Sequence, residues 1–307
     1  MTDTHDFFEP KLRVRASGLG GSGYRIPTRP GDDGKLVTVP GVTTVLGVLD
    51  KGGITQWSVD QTVAYMIANI DMFLNRTEEQ GFKLGRFYHS RKVDFDDPEV
   101  DPNNYHTGVL NDLAELGTWA HDYTAYDLLG MFPPDPLQVE HAEMATAWDE
   151  FRAEHDIEPL AVERTVVGDG FAGTLDGIWK IDGVPTLVDV KTSRAVRGTH
   201  IAQLAALHHA EFMMEECDPL DKDAVAYDTK RWGTTYWREV PIPHYEDFQI
   251  VQIRPSDIDK DGYETEPFVA MHRVTEAQID AGWQMFQGAL QARWGQKAMK
   301  DAMREMQ

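Results

Sequence analysis

Apolar side chains recur mostly at intervals of three and four over residues 55–76 (Trp57, Val63, Met66, Ile67, Ile70, Phe73), the spacing of one helix face. Further helices are expected over about 110–129, stopped by Gly130, over 137–154, over 199–216 and over 275–305. In the last of these, Trp283, Phe286, Leu290 and Trp294 form an apolar face suited to a core or an oligomer contact. Between the helices the period changes. LAVERTVV (160–167), GTLDGIWKI (173–181) and VPTLVDVK (184–191) read as strands, and further strands are expected near 236–241, 247–254 and 267–273. Residues 1–40, rich in Gly, Pro and charge, read as loops with room for a hairpin, and 93–106 as a polar loop. The order of elements predicts an α/β (α+β) chain with a mixed β-sheet core flanked by helices. Its expected parts are a loop-rich arm (1–40), a main domain (41–275) and a C-terminal helix (276–307).

Asp182-Gly183 between two strand-like runs is a strong signal for a two-residue hairpin. In that register Ile181 faces Val184, Ile178 faces Leu187, and Asp176 faces Asp189. Opposed side chains share a face, with Cβ atoms roughly 4.5–5.5 Å apart, and like charges so placed destabilise the pair. A divalent cation is the natural compensation. Lys191, two residues beyond Asp189, shares that face, while Val188 and Val190 point into a core. Two carboxylates and an ammonium on one face suit phosphodiester hydrolysis with Mg²⁺ or Mn²⁺. Asp-x-Lys alone is common by chance; the opposed second Asp gives it weight.

Composition sets bounds. The chain has 307 residues, 41% hydrophobic and 26% charged, usual for a globular protein long enough for a substantial core. No apolar run approaches 18 residues, and the first ten residues lack the features of a secretory signal. With a single cysteine, Cys217, the chain makes no internal disulfide, and a reducing cytoplasm is expected (a host's, for a phage protein). The net charge of −22 stands against nucleic acid as partner unless a local basic groove and bound cations do the work.

Four short motifs occur in order: Gly117-Thr-Trp-Ala-His121, Gly173-Thr-Leu-Asp176, Asp189-Val-Lys191 and Gln203-Leu-Ala-Ala-Leu207. Together they resemble the RecB-type branch of the PD-(D/E)XK nucleases, which includes the CRISPR-associated adaptation nucleases and many phage exonucleases. PGVTTVLGVLDKGGITQW (40–57) resembles the opening of the phage members. The last motif departs, with Leu207 where the family has tyrosine. The resemblance implies a restriction-endonuclease-like fold and a metal-dependent DNA exonuclease of recombination, repair or replication. It implies His121, Asp176, Asp189 and the Val190 carbonyl as metal ligands, Lys191 as the catalytic lysine, and Gln203 as a supporting residue. Glu163, on the preceding strand, stands where the family often has an acid. One or two Mg²⁺ or Mn²⁺ ions are implied, and no iron–sulfur cluster, since the members that carry one need four cysteines. DNA ends are the implied partner, with a single-strand annealing or binding protein or a helicase alongside; homo-oligomerisation stays open.

Each residue has a plainer reading. A lone helical histidine such as His121 is usually packed or exposed, and Glu163 is an ordinary strand glutamate. His208 and His209 point about 100° apart on a helix and read as structural. Arg194 and Arg197 suit DNA phosphates or a solvated loop. Arg293, Lys297, Lys300 and Arg304 form one stripe, either a DNA-tracking ridge or cations suited to a helix C-terminus. Lys11, Arg13 and Arg15, with Arg25 and Arg29, make either a weak basic arm or a solvated edge strand. Two other functions compete: a catalytically silent DNA-end-binding or recombination scaffold on the same fold, and a hydrolase of a small phosphorylated substrate in a closed pocket. Polarity, strand preference, DNA against RNA, and processivity are not set by the sequence.

Overall fold

A computed structural model describes residues 12–15, 21–27, 36–49, 52–71, 105–229, 233–258 and 262–306. The chain divides into two compact units, residues 50–117 and residues 1–49 with 118–307. The first contains helix α2 (Gly52–Ala68) and the start of α3 (Tyr105–Leu128). Val59, Val63, Ile67 and Ile70 near or on α2 are exposed. Phe73 and most of the loop expected at 93–106 lie outside the described residues, as do Lys11 and Arg29.

The second unit is built on an eight-stranded mixed sheet. Its strands are β4 (Ile157–Gly168), β5 (Phe171–Ile181), β6 (Val184–Lys191), β7 (Phe212–Glu216), β8 (Val225–Thr229), β9 (Gly233–Val240), β10 (Asp247–Arg254) and β13 (Phe268–Arg273), with β11 (Asp257–Ile258) and β12 (Glu264–Thr265) forming a separate short hairpin. The order is β13-β10-β6-β5-β4-β7-β9-β8, with β10 parallel to β6 and the other pairs antiparallel. On one face Ile178, Leu187 and Ile250 meet α1 (Val42–Leu46), α5 (Gly198–His208) and the first half of α6 (Glu276–Glu305) in one buried cluster. On the other, Trp179 meets Trp148 of α4 (Val139–Glu154) edge to face. A mixed sheet flanked by helices is thus the architecture. Residues 1–40 contribute more than loops: β1 (Arg13–Arg15), β2 (Ser22–Pro27) and β3 (Leu36–Pro40) form an antiparallel sheet, and Leu12, Tyr24, Ile26 and Val39 pack on Val167, Ala172 and Tyr227.

The hairpin has the register expected from Asp182-Gly183. Ile181 pairs with Val184, and the ladder runs to Gly177 opposite Val188. Asp182 and Gly183 both have positive φ, 49° and 88°, the pattern of a type I′ turn. The helix expected over 199–216 is wrong in its second half. It ends at His208, and Phe212–Glu216 is β7, paired with β4 and β9. Met and Glu favour helix locally, but Met213 and Met214 gain burial between two waiting strands, and tertiary packing overrides propensity. Among the described residues no helix is long and apolar enough to cross a membrane.

Candidate metal centre

Five elements deliver polar side chains to one place on the sheet face that carries α5. His121 comes from α3, Glu163 from β4, Asp176 from β5, Asp189 and Lys191 from β6, and Gln203 from α5. Strand alternation places Asp189 on the face of Leu187, at the edge of the apolar core. Asp176 on the neighbouring strand lies beside it, its Oδ2 accepting from the Val190 N–H. Glu163 falls between Val162, opposite Gly177, and Arg164, opposite Leu175, which places it beside Asp176.

Among the described residues one group could serve as donors to a cation: a ring nitrogen of His121 and a carboxylate oxygen each from Glu163 and Asp176, all within 4.8 Å of one another. His121 Nδ1 stands 3.3 Å from Asp176 Oδ1 and 3.9 Å from Glu163 Oε1. Imidazole and carboxylates are fitting donors for Mn²⁺, and carboxylates for Mg²⁺. Asp189 is placed differently. Its Oδ2 faces Lys191 Nζ at 2.6 Å, and its Oδ1 accepts from Gln203 Nε2 at 2.9 Å. The Val190 carbonyl accepts from Lys191 Nζ at 3.0 Å, while the Val190 N–H donates to Asp176 Oδ2 at 2.7 Å. The six side chains therefore form one connected cluster, within which Glu163 rather than Asp189 completes the donor group.

The cluster is closely packed yet open at its edge. Asp189 is fully buried, whereas His121 and Lys191 keep 28% and 16% of their side chains exposed. Burial sets the electrostatics, and the neighbours answer it. It disfavours the His121 imidazolium, but Asp176 and Glu163 outweigh it and hold His121 up at about 10. Burial pushes Glu163 up to about 7 and Asp189 up to about 6, against the pull of His121 and Lys191 respectively. Asp176 resists burial and stays below the usual carboxylate range, because His121, Lys191 and the Val190 N–H favour its anion. Lys191 is raised in spite of burial by Asp189 and Asp176. A cation binding His121 must displace its proton. Excess carboxylate, packed acid on acid at the sheet face, is what such an ion would neutralise.

Comparison with protein-family models finds no match, and comparison with curated proteins finds none similar. The site's chemistry therefore carries the reading.

The remaining residues named from sequence lie around this cluster. Arg194 is exposed and paired with Asp257 at 2.6 Å. Arg197 is exposed and caps α5, its N–H donating to His200 Nδ1 at 3.2 Å. Leu207 is buried in the core beside Gly173 and Val42 rather than in the cluster. His209 stacks on Trp283 with centroids 4.1 Å apart, and His208 bonds Tyr245 through Nδ1 at 2.9 Å, so both are structural. Along the terminal helix, Lys297 lies over the Trp294 ring and Arg304 pairs with Asp301. Sequence reading passed over His200, one turn before Gln203, and Gln252 and Arg254 on β10. For the latter pair a signal existed, two polar residues at alternate positions of a strand otherwise rich in apolar residues.

Proposed function

We propose that this protein is a divalent-metal-dependent deoxyribonuclease with a restriction-endonuclease-like core, acting on DNA ends as an exonuclease. The observation that carries the reading is the convergence of His121, Glu163, Asp176, Asp189, Lys191 and Gln203 from separated stretches of chain into one cluster joined by ion pairs and hydrogen bonds. His121, Glu163 and Asp176 would hold the cation. When bound, it supplies Lewis-acid polarisation of a phosphoryl oxygen and a lowered pKa for water. Lys191, its side chain partly exposed at the cluster edge, orients the attacking water or meets the charge developing on the phosphate. Asp189 keeps Lys191 in place and charged, and Gln203 fixes Asp189 by occupying its other oxygen. Arg194 and Arg197, exposed on the connection after Lys191, are placed to meet flanking phosphates. Action in recombination, repair or replication, beside an annealing or single-strand-binding protein or a helicase, belongs to the same proposal.

The test is cleavage of end-labelled single- and double-stranded DNA with Mg²⁺, Mn²⁺ or EDTA. Wild-type protein should release label only with metal, and Lys191→Ala should lower the rate by at least about 10²-fold with the fold intact. Equal cleavage by Lys191→Ala and Asp176→Asn would sink the assignment. Metal-independent DNA-end binding without cleavage would move the reading to a scaffold.

A further inference from the structure

The backbone leaves the sheet directly after Lys191, and the carbonyls there need new partners. Strand β10 supplies them. In its parallel register Ile250 lies beside Asp189 and Gln252 beside Lys191. Ile250, Gln252 and Arg254, at alternate positions, therefore share the sheet face of the site acids. β10 runs on past the end of β6, and its two polar side chains reach the departing chain. Gln252 Nε2 donates to the Ser193 carbonyl at 2.6 Å, and Arg254 Nη1 donates to the Thr192 carbonyl at 2.6 Å. Both residues are buried, 5% and 8% exposed, where polar groups are kept only if their bonds are made.

Each is also held from behind. His272 Nε2 donates to Gln252 Oε1 at 2.9 Å. Asp257 accepts from Arg254 Nη2 through Oδ2 at 2.5 Å, and its Oδ1 takes Arg194 at 2.6 Å. One carboxylate thus ties the strand arginine to the loop arginine. Among the described contacts, no hydrogen bond of Gln252 or Arg254 goes to His121, Glu163 or Asp176.

We infer that Gln252 and Arg254 are positioning residues that clamp the two carbonyls following Lys191, and so fix the Lys191 ammonium and, through Asp257, the direction of Arg194. The inference rests on the nuclease reading of the site. It separates two tasks: His121, Glu163 and Asp176 hold the metal, while β10 holds the segment that carries the lysine. A lysine displaced by even about 1 Å loses rate on the order of 10²-fold, whereas the three metal donors come from α3, β4 and β5 and keep their places.

Two variants test this in the full-length protein. Gln252→Glu keeps the side-chain shape and an acceptor for His272, but sets an oxygen against the Ser193 carbonyl. Arg254→Lys keeps the charge facing Asp257 and loses the two-pronged donor. Both should lower kcat by about 10- to 100-fold with KM changed less than about threefold. Mn²⁺ affinity, measured by calorimetry on the protein alone, should stay within about twofold, and amide exchange over residues 192–197 should quicken while β4 to β6 stay protected. Unchanged kcat and exchange in both variants would overturn the inference, as would a kcat loss accompanied by weakened Mn²⁺ binding. A wild-type protein that cleaves no DNA defeats the nuclease reading instead; the exchange measurement then still decides whether β10 clamps the segment.

Discussion

Glu163 sits at the one site position with a strained backbone. Its φ is 47°, in the left-handed region that a β-carbon disfavours by roughly 1–2 kcal/mol. Such conformations persist where the surroundings impose them and gather at functional sites. Here the turn of the chain brings a carboxylate next to Asp176 and His121, adding like charge to a buried place. Glu163→Gly removes both costs. Greater freedom of Gly in the unfolded chain and the lost pairing with His121 offset part of this, so the substitution is expected to raise the stability of the protein in EDTA by at most about 1 kcal/mol and to weaken Mn²⁺ binding at least about tenfold, read by denaturant unfolding and by titration. Lower stability in EDTA would remove the case for strain. His200 offers a pH test outside the donor group. Burial, then Lys191 and Arg197, depress it to about 4. Above about pH 6.5 it is neutral both folded and unfolded and contributes nothing. As pH falls from there toward 4 the unfolded chain takes up the proton and the folded chain does not, so stability is lost across that window. His200→Gln should lessen the loss between pH 6.5 and 4.5 by on the order of 1 kcal/mol, a difference readable in paired thermal melts.

At the scale of elements, Gly173 shows how tightly the hairpin meets its helices. A β-carbon there would come 2.9 Å from Val42 Cγ2 and 3.0 Å from Leu207 Cδ2, joining β5, α1 and α5 at one point. Gly173→Ala should therefore cost about 1–3 kcal/mol, with Leu207→Ala in the same chain recovering part of it, as a double-mutant cycle would show. The same contact gives Leu207 a packing role. A tyrosine at that position would need room that Gly173 and Val42 do not leave. The hairpin was legible because its signals are local: Asp182-Gly183 names the turn, and the turn sets the register that brings Asp176 and Asp189 together. His121 and Gln203 were singled out only through the resemblance that the four motifs carry together, since alone each reads as an ordinary helical residue. What was not legible depends on distant partners. β7 carries helix-favouring Met and Glu, and only the strands on either side make it extended. β8 and the strands of residues 1–40 are too short for a period to show. Glu163's positive φ has no local signal, since neither neighbour is Gly, Pro or Asn. The Gln252 and Arg254 contacts close over 59 and 62 residues, beyond any spacing argument.

For the whole molecule the deciding quantity is charge. A net −22 repels a polyanion at every separation below the Debye length, about 8 Å at physiological salt, so DNA must be met by local cations. Around the site, Lys191 is largely buried against Asp189, whereas Arg194, though paired with Asp257, and Arg197 are exposed on that connection. Each phosphate neutralised contributes about −0.9 to the slope of log K against log salt for duplex DNA. Two or three such contacts predict a shallow slope, on the order of −2 to −3, for the Lys191→Ala protein binding a duplex end at constant Mg²⁺ between about 50 and 200 mM KCl. Arg194→Ala and Arg197→Ala should each reduce its magnitude by about one. A slope near −6 or steeper, unmoved by either substitution, would place DNA on a broad basic surface elsewhere, such as the cationic stripe of α6. A shallow slope that both substitutions flatten would mean that an acidic protein holds DNA through a few contacts beside its metal ligands, with the cation supplying the attraction that the rest of the surface withholds.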